Sequence, residues 1–343
     1  MYPIRLQPKL DYRLWGGQRL ARWLGLPQPL PTDLAEAWLI YTQNRIQNGD
    51  LAGQTLAQAA RALGPSLLGS QSRARYGLDF PQLTKFIDAN ARLSIQVHPD
   101  DAYAHSVEAH TRFHGKTEAW FILHAEPDAS IIYGLKRPSN RREFEQAVQA
   151  GELEALVNTV PVQTGDVIYV PAGTLHAINQ GILLFEVQQT SDLTYRVYDY
   201  QRRGPDGKLR PLHLQKALDV MTYQPPAQEK IPPLALGPNH DLLIASPYFA
   251  LEKHRYTEAV KRSTRPTSFE TWTLIQGAVQ IAGEALTPGQ ALLLPAYLGD
   301  FRIEPEGEAV LLRTTTPHLQ EDYIRPLLRQ GCTPERIAQT VKT

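Results

Sequence analysis

The chain holds a single cysteine, Cys332, in 343 residues, so no intrachain disulfide framework is available to it. Its size must be held by hydrophobic cores, and a lone thiol fits a reducing compartment and an inert role. Net charge is also missing. Lys plus Arg and Asp plus Glu each total 35, and no long basic run breaks the balance, which argues against nucleic acid or an anionic membrane surface as partners. A local cationic site for a small anion stays compatible with that balance. Long apolar runs are absent too: the best, Ala291 to Leu298, contains Pro295 and falls short of the ~20 residues a membrane helix needs. Met1-Tyr2-Pro3-Ile4-Arg5 shows no basic stretch leading into an apolar core, so no secretory signal is visible, and a soluble, cytoplasmic protein is expected.

What the chain has in quantity is proline, 27 in all, with short β-branched and aromatic runs set between Gly, Pro and Asn. That pattern predicts many turns and an architecture dominated by strands. Helices are expected at Leu56 to Leu63, at Pro138 to Ala150 capped by Ser139, at about His213 to Met221, and in a tail from Glu321 to Val341. A proline-rich stretch from Tyr223 to Pro233 lacks backbone donors and marks a linker. The expected division is residues 1–222, 234–316 and a helical tail at 317–343. At this length two cores are affordable, since domains run to ~100–200 residues.

Chemistry concentrates in the first part. In Leu93-Ser94-Ile95-Gln96-Val97-His98-Pro99-Asp100-Asp101 the alternation reads as a strand with Gln96 and His98 on one face, where they could grip one metal ion. Lys116-Thr117-Glu118-Ala119-Trp120 offers a carboxylate, and the segment Gly165 to His176 ends on a second imidazole. Two His, one Glu and a neutral amide make a plausible zinc site, open to water in the catalytic manner.

An internal repeat crosses the linker. Gly165, Pro171, Gly173 and His176 follow the spacing G-x5-P-x-G-x2-H, and Gly289, Pro295, Tyr297 and Asp300 stand in the same register. Glu118-Ala119-Trp120 is echoed by Glu270-Thr271-Trp272. The spacing resembles the second motif of the cupin superfamily, double-sheet jelly rolls that carry a metal inside the barrel. The expected fold is mainly β, two cupin-like jelly-roll barrels with a few short helices. The second barrel lacks counterparts to His98 and His176, so packing without metal is its expected role.

A wider resemblance covers four ordered blocks: Phe86-Ile87-Asp88-Ala89 leading into Leu93 to Asp101, then Gly115 to Trp120, Pro171 to Ala177, and Phe185 to Tyr200. Together with Leu14-Trp15-Gly16-Gly17 these look like the type I mannose-6-phosphate isomerases, in their short bacterial form, from about residue 5 to 220 and more loosely beyond. The resemblance implies a zinc ion held by Gln96, His98, Glu118 and His176, an active-site arginine at Arg196, and Lys116 and Ser94 lining the same pocket. It also implies a sugar phosphate substrate, interconverted between mannose 6-phosphate and fructose 6-phosphate. Ala35-Glu36-Ala37-Trp38 departs from the family's Gly-Glu-Ser-Trp, a change expected to alter a loop. The long helical insertion of larger members has no room here; Ser139 to Val157 is a small excursion at most.

Moving a proton between C1 and C2 through an enediol needs stabilisation of negative charge on oxygen and a base near the carbon. Arg196 has two readings, an ion pair with Asp192 or Asp199, or a ligand for phosphate or enediolate, and its planar fork favours the second. Lys116, two residues from Glu118, could face substrate or act in proton transfer. Glu186, Asp192, Lys116 and His98 can each be put forward as the base, with His98 disfavoured if a metal takes its lone pair. His213 reads as structural, and His105, His110, His114 and His124 as solvated. Two rival functions are a non-catalytic sugar-binding cupin protein, which would have lost its ligands, and a cupin dioxygenase, which would carry His-x-His where this chain has Gln96-Val97-His98.

Overall fold

A computed structural model of the chain describes residues 1–204 and 207–343. Two sheets pack in the first half. A six-stranded sheet runs Lys9–Gly17, Leu34–Ile40, Gln82–Ala89, Ile182–Gln189, Glu118–Ala125, Val167–Val170 in spatial order, and a five-stranded sheet runs Tyr195–Tyr198, Ile95–Val97, His176–Ile178, Ser130–Leu135, Val157–Pro161. The second half repeats the six-stranded plan with Leu234–Gly237, His240–Ala245, Ala250–Tyr256, Ala309–Thr315, Glu270–Gln276 and Ala291–Leu294. Its smaller sheet has four strands, Val260–Ser263, Asp300–Pro305, Val279–Ile281 and Glu284–Leu286. The expected barrels are therefore present as facing sheets that keep open edges, and among the described residues no ladder closes either pair.

The repeat read from spacing is carried by backbone pairing. Glu118 stands opposite Val170 and Glu270 opposite Leu294, one residue before Pro171 and Pro295. Alternation then decides what each strand buries. Trp120 and Ile122 point between the two sheets of the first half, with Ile87, Ile131, Ile168 and Leu184. Ala119 and Phe121 point the other way, into a core shared with Leu251, Leu293 and Leu312 of the second half. Both faces of the six-stranded sheets are covered, which is why Gln82–Ala89 is buried at every residue.

Two glycines permit close approaches, one between the halves and one within the first six-stranded sheet. Gly69 breaks the helix Pro65–Tyr76 at φ 81°, and a Cβ there would lie 2.4 Å from the Ser268 nitrogen of the other half. Gly16 lies so near the neighbouring chain that its Cβ would fall 2.3 Å from the Asp33 carbonyl.

Several helix expectations need correction. Leu56–Leu63 forms as expected with a Thr55/Gln58 capping box. The next begins at Arg141, and its cap is Asn140, whose side chain accepts from the Glu143 nitrogen, so Ser139 lies outside it. The tail is broken into Gln320–Ile324, Arg325–Arg329 and Pro334–Thr340, with Gly331 at φ 86° and Pro334 at the second start. Ala35-Glu36-Ala37-Trp38 lies inside the strand Leu34–Ile40, so that departure does not fall in a loop. The linker is packed down: Ile231 is buried and its N–H donates to the Val167 carbonyl.

Candidate functional site

The mouth of the first sheet pair gathers the chemistry-bearing residues. Ile95 and Val97 bury beneath the helices Arg141–Ala150 and Leu214–Val220, so Gln96 between them faces the opposite sheet. Cross-strand pairing places Arg196 on one side of Gln96 and His176 on the other, three site residues in one row. His98 follows directly after the strand, while Glu118 opens its own strand in the facing sheet.

The sequence-predicted ligands converge. Glu118 lies 3.5 Å from His98 Nε2 through one oxygen and 3.4 Å from His176 Nε2 through the other. One donor atom from each falls within 4.8 Å of the rest. The outer ring nitrogens decide the tautomer. His98 Nδ1 is 2.9 Å from the Leu193 carbonyl and His176 Nδ1 is 2.8 Å from the Thr174 carbonyl. A carbonyl only accepts, so both Nδ1 atoms carry hydrogen and both Nε2 lone pairs aim at Glu118. Burial, then Lys116, lowers His98 to about 3, and burial lowers His176, so both rings stay neutral. Burial opposes ionisation of Glu118, but the Lys116 ammonium together with the His98 and His176 rings outweighs it and holds the carboxyl well below the usual range. Two buried neutral imidazoles and a carboxylate suit a divalent metal.

Lys116 is the surprise of the geometry. Its Nζ donates to Glu118 at 2.6 Å and to His98 Nε2 at 3.0 Å, so a protein cation already sits among the donors. Gln96 is beside them, its amide nitrogen 3.4 Å from His176 Nε2.

A cavity of about 470 Å³ opens outward from these groups and is lined also by Ser94, Lys85, Glu186, Asp192, Arg196 and His213. Arg196 donates from Nε to Ser94 Oγ at 3.3 Å and from Nη1 to the Pro211 carbonyl at 3.0 Å. It forms no ion pair among the described residues: Asp199 is taken by Arg202 and Arg210, and Asp192 is exposed. Burial, followed by the nearby Arg210 guanidinium, pulls the Arg196 pKa down, against the opposing Asp199 charge.

Sequence reasoning missed one network on the floor of the cavity. Lys85 lies 3.1 Å from Glu36 and 3.3 Å from Glu186, and Trp120 donates to Glu186 at 2.9 Å. The ion pair to Glu186 has no well-directed hydrogen bond, leaving that oxygen unsatisfied. Burial and the Glu118 charge raise the Glu186 pKa. The sequence carried little signal for it, since Lys85 shares its strand with Gln82, Thr84 and Asp88 and its partners stand on neighbouring strands. His213, set aside from sequence, stands at the rim and accepts from the Arg196 backbone nitrogen at 3.2 Å.

Residues 4–119 match the family described as phosphomannose isomerase type I, catalytic domain. Across 320 residues the chain is 36% identical to a mannose-6-phosphate isomerase of Streptococcus mutans, covering 90% of this chain and 97% of that one. The chain belongs to the type I phosphomannose isomerase family. The mannose-6-phosphate isomerase ManA of Bacillus subtilis is likewise 36% identical over 90% of this chain and 98% of its own. A crystal structure of the Bacillus subtilis mannose 6-phosphate isomerase superposes with a TM-score of 0.81 at 32% identity, covering 92% of this chain and 99% of that one. Phosphomannose isomerase from Salmonella typhimurium, at 17% identity and a TM-score of 0.74, shares the fold.

Within this phosphomannose isomerase frame the second half has its own polar centre, which the sequence reading did not foresee. His240, Glu252 and His254 bring three donors together beside a cavity of about 410 Å³. Pairing makes Arg313, opposite Trp272 and Glu252, the positional equivalent of Glu186, which stands opposite Trp120 and Lys85. The charges are thus exchanged between the halves. Arg313 donates to Glu252 at 2.9 Å and to Glu270 at 2.6 Å, and Tyr323 donates to the other Glu252 oxygen. The His240 and His254 rings stack at 4.0 Å with 22° between planes, and both Nε2 atoms donate to the same Glu252 oxygen, at 3.0 and 2.9 Å.

Proposed function

We propose that the chain interconverts mannose 6-phosphate and fructose 6-phosphate, with zinc as its metal, by moving a proton between C1 and C2 through an enediol. The observation that carries this reading is the pair of Nε2 lone pairs aimed at Glu118, in a cavity whose wall holds an unpaired arginine. Family membership supports the substrate.

His98, Glu118 and His176 would hold the metal, with Gln96 beside them, and a bound zinc ion would supply Lewis acidity toward substrate oxygens. The rest falls to the chain itself. Arg196 offers a bidentate fork to phosphate or to the enediolate, in surroundings already positive from Arg210. Ser94 orients that guanidinium by accepting from Nε. Lys116 holds a proton at Nζ between Glu118 and His98, a place from which it can reach a sugar oxygen when metal takes over its partners. Glu186, raised by burial, and Lys85 give the floor a proton-carrying pair close to Glu118. Incubation of the purified protein with fructose 6-phosphate should yield mannose 6-phosphate, and prior chelation should abolish it. Failure to form mannose 6-phosphate from metal-loaded protein would refute the assignment.

Residues 1–222 are proposed as the catalytic domain, 234–316 as a metal-free companion and 317–343 as a helical cover. In the companion, Arg313 and Tyr323 already take both Glu252 oxygens, and Arg313 also bonds Glu270. Anomalous scattering at the zinc edge should show no peak beside Glu252 or Glu270; a peak at either overturns the division of labour.

A further inference from the structure

Outside both cavities, a third set of donors converges on the surface of the first half. Asp101 opens the helix Asp101–Ser106 and His105 follows four residues later, so both project from one side of a single turn. His114 returns to the same place, with its Nδ1 3.0 Å from His105 Nε2. A carboxylate oxygen and these two nitrogens lie within 4.8 Å of one another. Tetrahedral zinc arms put neighbouring donors roughly 3.3 Å apart, so the imidazole pair is near its bound spacing.

Three features support these donors as a site. Asp101 is already oriented: its Oδ1 accepts from the Gly115 nitrogen at 2.8 Å and from Gln189 Nε2 at 2.9 Å, and Oδ2 has no hydrogen bond among the described residues. Such outer partners are what fix a ligating carboxylate. His114 is held edge-on by the Tyr76 ring at 5.2 Å, and its other nitrogen, Nε2, is buried without a partner, so it can act only through the nitrogen that faces His105. Finally, no ammonium or guanidinium stands between the donors, unlike Lys116 in the first centre and Arg313 in the second. Arg75, close enough to act on His114, is turned onto the Tyr248 ring and the Pro247 carbonyl, while Asp79 adds negative charge.

We propose that Asp101, His105 and His114 form a separate, solvent-facing site for a borderline divalent transition metal such as zinc. It binds more weakly than the buried centre, since His105 is exposed and Asp101 shares its charge with two donors. An ion here would pin the turn that delivers Lys116, because Gly115 is bonded to Asp101 and the Lys116 nitrogen to the Pro99 carbonyl. The inference does not rest on the isomerase reading.

Equilibrium dialysis of metal-free protein against zinc tests it. Wild type should take up two ions per chain; His105→Ala should weaken only the looser one, by about 100-fold or more, and His176→Ala should remove only the tighter. Asp101→Asn, which keeps the acceptor for Gly115, is the second variant should His105→Ala fold poorly. A single ion per wild-type chain, or two ions held by both variants with unchanged affinity, would overturn the proposal.

Discussion

Arg196 forms no ion pair among the described residues, and its neighbours Arg210 and Ser94 prepare it for an anion from solution. Arg196→Lys keeps the charge but loses the fork and both of its neutral hydrogen bonds. Catalytic efficiency should fall about 10²-fold or more, roughly 3 kcal/mol of transition-state stabilisation. Stability should change by only about 1 kcal/mol, the scale of such bonds, and metal content should not change. A variant that unfolds or drops its metal while its folded fraction turns over normally would make Arg196 a structural residue. At this scale the sequence was most legible where chemistry and spacing agree. His98, Glu118 and His176, each singled out from its own short motif, bring their donor atoms within 4.8 Å of one another. Lys85 and Glu36 were not legible, because their partners lie on neighbouring strands and only pairing brings them together. The alternative ion pair of Arg196 with Asp199 fails because Arg202 and Arg210 take that carboxylate.

Among the elements, strand repeats were easier to read than helix ends. The Glu118 and Glu270 strands share a register that short motifs already suggested, whereas Asn140 and not Ser139 caps a helix because only Asn140 reaches back to the Glu143 nitrogen. The histidines of the second half escaped notice because they come from adjacent strands, His240–Ala245 and Ala250–Tyr256, that do not carry the repeat's motif. Their burial has a measurable consequence. Burial, opposed by Glu252, lowers His254 from 6.5 to about 4. The unfolded chain therefore binds a proton between those values that the folded chain does not. The contribution is fully favourable above pH 6.5 and is lost as pH falls toward 4, at about 1.4 kcal/mol per pH unit for one proton. Denaturant unfolding at pH 7.5 and 5 should show a smaller loss for His254→Gln than for wild type. Equal losses would place the ring's proton elsewhere.

At the scale of the whole molecule, the mainly β class and the two-part repeat were legible, and the way the halves meet was not. The six-stranded sheets stack through residues that alternate with those lining the cavities, so one set of strands builds a site on one face and a shared core on the other. Nothing in local spacing says that Phe121 looks toward the second half while Trp120 looks into the first. The same stacking leaves one half with a carboxylate and two neutral imidazoles around Lys116 and gives the other an arginine bonded to two carboxylates. The central claim is that this first centre holds the catalytic metal. Its most direct test is to restore zinc stepwise to metal-free protein while following conversion of fructose 6-phosphate to mannose 6-phosphate. Turnover should rise in proportion to zinc up to one ion per chain and then level, and His176→Ala should stay inactive at every zinc level. Full turnover by metal-free protein, or by His176→Ala, would contradict the account.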